Sequence, residues 1–377
     1  LIGLVGSEMC IRDSYKWWKN IDKFLLTLII LLFLVGLFFS LVSTSLIASD
    51  KLNTNDYSFF FKHLIFLCIG IFCIFIFSSI SQVNLFRISI IFFVVSIILL
   101  LLVPLIGIEV KGSKRWIDLY MLPRFQPIEL VKPFLIMFLS IILSSEKYLN
   151  IYLKYCISFL VTLSVVFLLA LQPDIGQTLL ILFSWAVLIF ISGINFIFLI
   201  TFFFIIALSF SYLIIFIPKF IYIKNRIISF FDTDTGTHNF QSDKAIESIV
   251  SGGFFGKGMG EGTLKNRVPE AHTDYIISVI SEEFGIIAII LILFLFLVFI
   301  HSVFRKVNLE NDDRSKLILV GCVSLILMQV MIHVGVNIRL FPTTGMTLPF
   351  ISYGGSSIVS MSIISGIILN LTKRKLD

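Results

Sequence analysis

Apolar residues occur along this chain in long, nearly unbroken stretches that short polar segments separate. A helix needs roughly 20 consecutive, mostly apolar residues to cross the hydrocarbon core of a bilayer, and a scan at that length predicts about ten spans. They lie at 24–48, 59–80, 86–107, 128–145, 151–171, 177–193, 195–217, 275–301, 316–338 and 350–371. The expected fold class is all-α: a polytopic membrane protein whose transmembrane helices form a single bundle domain covering 24–372.

The composition excludes a water-soluble globule. Hydrophobic residues make up 58% of the chain, charged residues 14%, and the mean hydropathy is +1.04, which leaves too much apolar surface to bury. The net charge of +6 does not indicate nucleic-acid binding, because the basic residues lie between apolar stretches, where they set membrane topology. The five cysteines lack CxxC spacing, so we expect neither a disulfide framework nor a metal site.

Basic residues near the span ends predict the orientation. One cluster precedes the first span, one lies between the eighth and ninth, and one follows the last, which with ten spans places both termini in the cytoplasm. The clusters are Lys16, Lys19 and Lys23; Arg305, Lys306, Arg314 and Lys316; and Lys373, Arg374 and Lys375. The loop 108–127 carries basic residues on the opposite side, against the rule, and we expect them to serve a ligand. They are Lys111, Lys114, Arg115 and Arg124.

The remaining segments lie outside the predicted spans and are mixed or polar in composition. Residues 1–14 lack the basic-then-apolar order of a signal peptide and differ in character from the rest of the chain, so we treat them as extraneous to the fold. The cytoplasmic parts are then the N-terminal segment 1–23 and the tail 373–377. Residues 218–274 form a large periplasmic loop, which keeps Ile, Val and Phe among its glycines. We therefore expect an ordered lid rather than a flexible linker.

Polar residues within or beside spans are costly in a membrane and are therefore candidate functional residues. Glu129 and Lys132 open the fourth predicted span. Since they are three positions apart on one helix face, the spacing predicts an ion pair. Both a pair that pins two helices together and a pair that acts on a substrate fit this pattern.

A second polar group begins at Asp274. On a helix that starts there, one face carries a polar stripe, whose further members are Ser278, Ser281, Glu282 and Gly285. An acid at the membrane surface is then backed by Glu282 or Glu283 beneath it. Asp274 alone also fits an N-terminal helix cap. Glu282 and Glu283 also fit a structural contact to a Lys or Arg of a neighbouring span, and we favour that role for them.

Two further groups lie on the last two spans. Gln329, His333 and Asn337 recur every four residues on the ninth span, which favours hydrogen bonds between helices. Ser352-Tyr353-Gly354-Gly355-Ser356-Ser357 leads into the last span. Its small residues favour close helix packing, and the N–H groups at such a helix start also suit a phosphate.

Several enzyme classes lack their motifs here. The segment 251–258 contains glycines and Lys257 but fails the P-loop pattern, because Ser251 stands where a glycine is needed and no Ser or Thr follows the lysine. The HExxH, GxSxG and EF-hand patterns do not occur in the sequence. ATPase, zinc-protease and hydrolase functions are therefore unsupported.

Six segments, in chain order, resemble the successive motifs of the FtsW/RodA (SEDS) family. They are Gly112-Ser113-Lys114-Arg115-Trp116-Ile117; Phe125-Gln126-Pro127 with Glu129 and Lys132; Gln172-Pro173-Asp174-Ile175-Gly176; Ser251-Gly252-Gly253 with Phe255-Gly256-Lys257-Gly258; Pro269-Glu270-Ala271-His272-Thr273-Asp274; and Ser352-Tyr353-Gly354-Gly355-Ser356-Ser357. The resemblance covers most of residues 24–372. The segment 342–350 is closer to the division member FtsW than to the elongation member RodA.

The resemblance implies a peptidoglycan glycosyltransferase that polymerises lipid II during septal cell-wall synthesis, releasing undecaprenyl pyrophosphate with inversion at the donor anomeric carbon. Asp274 matches the family's essential Asp and is the expected general base. Arg115 is favoured for the pyrophosphate, because its planar guanidinium matches phosphate oxygens. The expected substrate-binding residues are Lys114, Arg115, Trp116, Glu129, Lys132, Asp174, Lys257, His272, Ser352 and Ser356. The expected supporting residues are Glu282, Glu283, Gln329, His333 and Asn337.

The resemblance also implies partners and a location. The expected partners are the nascent glycan strand, a class B penicillin-binding (FtsI-like) transpeptidase and other divisome membrane proteins, and the expected location is the septal inner membrane of a bacterium. No cofactor is assigned, and a divalent cation at the pyrophosphate stays open.

Three other functions remain alternatives: a lipid II flippase, a RodA-type elongation polymerase and a structural division scaffold. A flippase needs a polar path across all spans, whereas the polar groups concentrate towards the outer half. A scaffold leaves the stripe at Asp274 unexplained.

Overall fold

The structure is a computed structural model and describes residues 17–44, 58–110, 113–118, 124–145, 150–216, 224, 228, 240–264 and 268–373. Residues 1–14, which are predicted to be extraneous to the fold, lie outside the described residues, as does much of the first half of the predicted lid. So do Lys111 and the last four residues of the tail.

Eleven helices and one hairpin follow one another along the described chain. The helices are α1 (Lys23–Thr44), α2 (Ser58–Ser79), α3 (Gln82–Ile106), α4 (Pro127–Leu143), α5 (Ile151–Leu171), α6 (Ile175–Ile191), α7 (Phe196–Phe216), α8 (Phe240–Gly252), α9 (Ile276–Val307), α10 (Asp313–Asn337) and α11 (Gly355–Leu371); the strands, between α3 and α4, are β1 (Ile108–Val110) and β2 (Ser113–Trp116). Each of the ten predicted spans corresponds to one helix, and α8 is the additional one.

The helical membrane fold predicted from hydropathy is confirmed. By length and composition, six of the described helices suffice to cross a membrane, namely α1, α2, α3, α5, α9 and α10. Two further apolar helices, α6 and α11, are shorter. Several boundaries differ: the helix of the eighth predicted span, 275–301, ends at Val307, and that of the last, 350–371, begins at Gly355. Phe350 has a positive φ of 65°, which a continuous right-handed helix does not accommodate.

Helix α10 forms the centre of the bundle. It packs against α4, α6 and α9, while α2 runs along α11 and α3 along α4. Most of α10 is buried, whereas α2, α3 and α5 expose most of their apolar residues. Exposed Phe and Ile side chains on these peripheral helices suit contact with acyl chains, since lipid is as apolar as they are. The polar residues of interest lie on or beside the central helices.

The loop predicted at 108–127 contains a small β-hairpin. Strands β1 and β2 pair antiparallel, with Ile108 opposite Trp116 and Glu109 opposite Lys114. An isolated bridge between Ile117 and Phe125 then returns the chain to α4. The hairpin therefore holds Lys114 and Arg115, on β2, in a defined position beside the bundle.

The predicted lid 218–274 contains a helix that the hydropathy scan missed. Helix α8 packs against α9, burying Ser242, Ala245 and Ser248. It was missed because it is short and mixed in polarity, and its one apolar face shows only as helical spacing. Residues 240–252 of the loop are therefore helical, while an ordered lid over the whole of 218–274 stays a prediction.

Helix α9, predicted as one straight span at 275–301, is broken at Gly285. That residue has φ 77° and ψ −179°, inside what is otherwise a helix. Such a conformation is essentially restricted to glycine. The helix therefore consists of a short segment, 276–284, and a longer one, 286–307.

Candidate functional site

Asp274 lies on a tight turn just before α9. The backbone carbonyl of Glu270, a residue with φ 57°, accepts hydrogen bonds from the N–H groups of Thr273, Asp274 and Tyr275 at 3.1, 3.1 and 3.4 Å. The N-cap position of α9 is occupied by Tyr275. The alternative that Asp274 caps this helix is therefore wrong, because the cap lies one residue further on. Its side chain is partly exposed.

The backbone of Asp274 is also held by α10. Asn337 donates from Nδ2 to the Asp274 carbonyl at 3.1 Å and to the His333 carbonyl at 2.8 Å. A side chain built onto Gly345 would lie 3.5 Å from Oδ2 of Asp274. The carboxylate therefore faces the segment 342–348, which connects α10 to the turn before α11.

That segment is held along α10 by two further side chains. Gln329 donates from Nε2 to the Thr347 carbonyl at 2.9 Å, and Nδ1 of His333 lies 2.8 Å from the Met346 carbonyl. The expectation of bonds between helices is thus only partly correct. Oε1 of Gln329 accepts a bond from Lys132 of the neighbouring helix α4. In contrast, His333 and Asn337 contact the non-helical carbonyls of Met346 and Asp274. Irregular backbone inside a membrane bundle needs such internal partners, because lipid supplies none.

Glu129 and Lys132 form the predicted ion pair. Nζ of Lys132 lies 2.7 Å from Oε2 of Glu129, and the two side chains are 0% and 4% exposed. Lys132 also donates to Oε1 of Gln329 at 3.2 Å, and Glu129 Oε1 accepts from Nε2 of Gln177 at 3.1 Å. The pair therefore joins α4 to α6 and α10 as one buried network, which begins at the helix ends near Asp274.

Asp174 and Arg115 continue this network towards the surface. Asp174 is the N-cap of α6, accepting from the Gln177 N–H at 3.4 Å and from Nε2 of Gln126 at 3.3 Å. Arg115 lies 3.6 Å from its Oδ2. Burial raises the pKa of the Asp174 carboxyl, and the Arg115 guanidinium opposes that rise. The network thus runs from Arg115, near the surface, to the buried Lys132.

Arg115 makes more contacts with the rest of the protein than its neighbour Lys114 does. Besides Asp174, its guanidinium donates to the carbonyls of Pro173 at 2.5 Å and Gln172 at 3.3 Å, and its side chain is 14% exposed. The neighbouring Lys114 is exposed, and Trp116 is partly buried at the end of β2. Among the basic residues of the described hairpin, Lys114 is therefore the more open to a ligand.

Lys257 and Glu282 form a second ion pair. Nζ of Lys257 lies 3.1 Å from Oε1 of Glu282, with 34% and 0% exposure. Glu282 also accepts from the Leu264 N–H at 2.9 Å and from Oγ of Ser248 at 2.9 Å. The favoured structural role of Glu282 is supported, although its lysine comes from a loop and not from a neighbouring span.

The polar stripe below Asp274 does not line an open path. Ser278, Ser281 and Glu283 are buried, and the first two meet α8: the Ser278 carbonyl accepts from Ser248, and Oγ of Ser281 donates to the Ile249 carbonyl. These serines therefore hold α8 against α9. The stripe was correctly placed on one face, but that face packs against the missed helix.

His272, Ser352 and Ser356 lie around the start of α11. The His272 ring contacts Phe59 at 4.7 Å between centroids, and its carbonyl accepts from the Tyr353 N–H at 3.1 Å. Ser352 is buried, and its Oγ accepts from the Leu348 N–H at 2.8 Å. Ser356 is buried in the first turn of α11. Ser352 is thus engaged in shaping the turn.

Two members of the site were not identified from the sequence. Gln177 connects Asp174 to Glu129, and Thr347 connects the 342–348 segment to α11, donating from Oγ1 to Oγ of Ser357 at 2.8 Å. A glutamine three positions after the Asp that begins a span was a usable signal for Gln177. No local spacing signals the contacts of Thr347.

No three His, Cys, Asp or Glu side chains within the described ranges are arranged to share a metal ion. The divalent cation considered for the pyrophosphate therefore stays a prediction.

The chain matches the FTSW_RODA_SPOVE family model, described as cell cycle protein, over residues 22–376. It is 32% identical to the probable peptidoglycan glycosyltransferase FtsW of Caulobacter vibrioides, across 95% of this chain and 91% of that protein. It is 34% identical to stage V sporulation protein E of Bacillus subtilis, across 93% of this chain and 97% of that protein.

Solved structures with a similar fold agree over nearly the whole chain. A peptidoglycan synthase complex, described for its structural coordination of polymerization and crosslinking, contains a chain of TM-score 0.76 and 26% identity, with 93% of this chain and 97% of that one covered. The rod shape determining protein RodA of Thermus thermophilus gives a TM-score of 0.69 at 27% identity, with 94% and 97% covered. The similarity therefore extends over the whole membrane bundle.

Proposed function

This chain belongs to the FtsW/RodA/SpoVE family of cell cycle proteins, and we propose that it is a peptidoglycan glycosyltransferase that polymerises lipid II into glycan strands. The name of its Caulobacter relative and the coverage of both chains support this activity. The observation that carries the chemistry is the partly exposed Asp274, held on a hydrogen-bonded turn at the end of the bundle where Lys114 and the Lys132 network also lie.

The reaction requires one proton to be removed. The 4-hydroxyl of the acceptor GlcNAc attacks the anomeric carbon of the donor MurNAc, a C–O bond forms, and the bond to the lipid pyrophosphate breaks with inversion. Asp274 takes the hydroxyl proton in this proposal. A positioned general base typically contributes about 10²–10⁴-fold, and rigid positioning of the turn by Asn337 is what that role needs.

The leaving pyrophosphate needs positive charge. Lys114 is exposed on β2 and is our first candidate for direct contact, whereas Arg115 holds the hairpin against residues 172–174 and positions its neighbour. Lys257 is partly exposed beside the same end of the bundle, although Glu282 neutralises part of its charge. Charge-assisted bonds to phosphate oxygens are stronger than neutral ones, so these lysines favour departure of the lipid pyrophosphate.

The position of the polar network favours a polymerase over a flippase. Glu129 and Lys132 lie in the first two turns of α4, and Gln177 lies in the first turn of α6. Both helices start at the same end of the bundle, so the network is one-sided. A flippase needs polar groups across the full membrane thickness. Purified protein given labelled lipid II distinguishes the two: polymer of increasing length supports the polymerase, and lipid transfer without polymer contradicts it.

The protein is a multi-pass membrane protein, and we place both of its termini in the cytoplasm and its site of action at the division septum. The basic clusters near the span ends support this orientation. The similarity of segment 342–350 to the division member of the family favours septal synthesis over elongation.

A crosslinking partner is part of the proposal, since the structurally similar synthase complex is described as coordinating polymerization with crosslinking. We expect a class B penicillin-binding transpeptidase to dock its single span against the exposed face of α9, near the 218–274 loop. Helix α10, whose sequence also suggests a docking face, is mostly buried and offers little surface for it. Docking on α9 positions the lid over Asp274 and raises turnover more than substrate affinity. Adding the transpeptidase with its own active site blocked should accelerate polymerisation. Equal rates with and without it, while the two copurify, would contradict activation.

A further inference from the structure

An exposed apolar tip lies at the end of α8, on both sides of Lys257 in the sequence. Val250, Phe254, Phe255 and Met259 are 74%, 73%, 82% and 57% exposed. They are close together in the sequence, and two of them are large aromatic residues at the apex of a loop. Such a cluster is unfavourable in water and indicates a contact with something apolar.

The backbone of this loop is hydrogen-bonded to the break in α9. The N–H groups of Lys257 and Gly258 donate to the carbonyls of Glu282 and Glu283 at 2.9 and 3.0 Å. In return, the N–H groups of Ile286 and Ile287 donate to the loop carbonyls of Gly253 and Phe254 at 3.0 and 3.4 Å. The break at Gly285 leaves backbone N–H and carbonyl groups of α9 without partners inside the helix, and the loop supplies those partners. The loop's own N–H and carbonyl groups are paired by the same bonds.

These hydrogen bonds lower the free-energy cost of placing the loop in a bilayer. Irregular backbone is excluded from lipid because its polar groups find no partners there. At the tip, the N–H groups of Lys257 and Gly258 and the carbonyls of Gly253 and Phe254 are paired with α9, and the N–H of Gly256 donates to the Gly252 carbonyl at 2.8 Å. What remains on the outside is mostly hydrocarbon.

The depth of the tip follows from α9 itself. Residues 286–307 rise roughly 33 Å at about 1.5 Å per residue, which matches a hydrocarbon core of about 30 Å. The other end of this segment carries Arg305 and Lys306 in its last turn, and such cations lie at the membrane surface. Gly285 therefore lies at the opposite boundary of the hydrocarbon core, with the tip bonded to it.

The tip is also continuous with the lipid-facing side of α9. Ile286, Ile287 and Ile290 are 37%, 39% and 58% exposed, and the first two are the residues whose N–H groups bond the tip. We propose that residues 250–259 form a membrane anchor, in which Phe254 and Phe255 insert into the acyl chains of the outer leaflet. The anchor holds Lys257 at the headgroup level, the height at which a lipid pyrophosphate lies. The choice of leaflet and the placement of Lys257 at the height of a pyrophosphate rest on the proposed function, whereas the insertion of the tip does not.

Depth-dependent quenching tests this anchor. Phe255→Trp is reconstituted in phosphatidylcholine vesicles with or without bromine on the acyl chains, and the emission of the unsubstituted protein is subtracted. Glu247→Trp is the matched control, because Glu247 lies on α8 with its side chain 49% exposed and is charged, as expected for a water-facing position. We expect the added emission of Phe255→Trp to fall about twofold in brominated lipid, as for a side chain within the acyl region, while Glu247→Trp changes little.

Each outcome decides the assignment. Quenching of Phe255→Trp no greater than that of Glu247→Trp overturns the anchor, and Met259→Trp measured in parallel covers a failure of the first variant to fold. The experiment is repeated with a single-span transpeptidase bound. Quenching that persists supports lipid as the occupant, and quenching that is lost assigns the tip to the partner and overturns the proposal. Neither reading requires turnover, so the result is independent of the role of Asp274.

Discussion

Asn337, at the end of α10, donates a 3.1 Å hydrogen bond to the backbone carbonyl of Asp274, at the start of α9. The bond joins the C-terminal end of α10 to the turn that precedes the N-terminal end of α9. It fixes the peptide of the proposed base without using its carboxylate. The bond therefore holds the backbone of Asp274 in place beside α10.

Replacing Asn337 with Leu should reduce polymerisation by about tenfold, because a misplaced catalytic group loses rate steeply with small displacements. The two lost hydrogen bonds should together cost about 1–3 kcal/mol of stability. Rates are compared per folded molecule, with folding checked by size-exclusion profile and melting temperature.

The matched control for that variant is Asn370→Leu. Asn370 is also a buried asparagine, which donates to the carbonyls of Phe77, Ser78 and Ile80 at 2.8, 3.2 and 2.6 Å, at the far end of α11. It should lower the melting temperature and leave the specific rate unchanged. Equal losses of specific rate in both variants would show that Asn337 acts through general stability alone.

Charge exchange tests the role of the buried pair. Lys132→Glu alone places two carboxylates together in the bundle and should cost about 3–5 kcal/mol, as for other broken buried pairs. Adding Glu129→Lys restores opposite charges and should recover folding, measured as the yield of monodisperse protein. Recovery of folding without polymerisation would indicate that Lys132 contacts the substrate, and recovery of both would make the pair structural.

Substitutions of the neighbouring residues Lys114 and Arg115 on β2 should have different effects. Arg115→Lys keeps the charge but loses the planar fork that reaches the carbonyls of Gln172 and Pro173, so it should lower the melting temperature. Lys114→Gln removes an exposed charge and should leave stability unchanged while raising the KM for lipid II severalfold. The reverse pattern, with Arg115→Lys affecting only KM, would return the pyrophosphate contact to Arg115.

Two glycines test the break in α9. A Cβ at Gly285 would clash with the Phe254 carbonyl oxygen, whereas a Cβ at Gly193, with φ 95°, meets nothing within 4 Å. Gly193→Ala therefore measures the backbone strain alone, roughly 1–2 kcal/mol. Gly285→Ala should destabilise the protein distinctly more, measured by thermal melting in detergent. Similar melting temperatures for the two variants would contradict the tight docking of the loop.

Local spacing and hydropathy predicted the parts of this molecule that depend on neighbouring residues. The ten spans follow from length and polarity, and the pair of Glu129 with Lys132 follows from a separation of one helical turn. The break at Gly285 did not follow, because apolar residues continue through it. The partners of Gln329 and Arg115 are distant in sequence, with Arg115 bonded to residues 57 and 58 positions away. Such contacts depend on the packing of the whole bundle.

The central claim is that Asp274 removes the acceptor proton, and Asp274→Asn tests it most directly. The amide keeps the size of the side chain and removes its basicity, so insertion and melting temperature should stay near those of the unaltered protein. Polymerisation of labelled lipid II by purified protein should fall by about 10²-fold or more. A rate within a few-fold of the unaltered protein, at equal folded concentration, would contradict the account and leave Asp274 a structural residue of the turn.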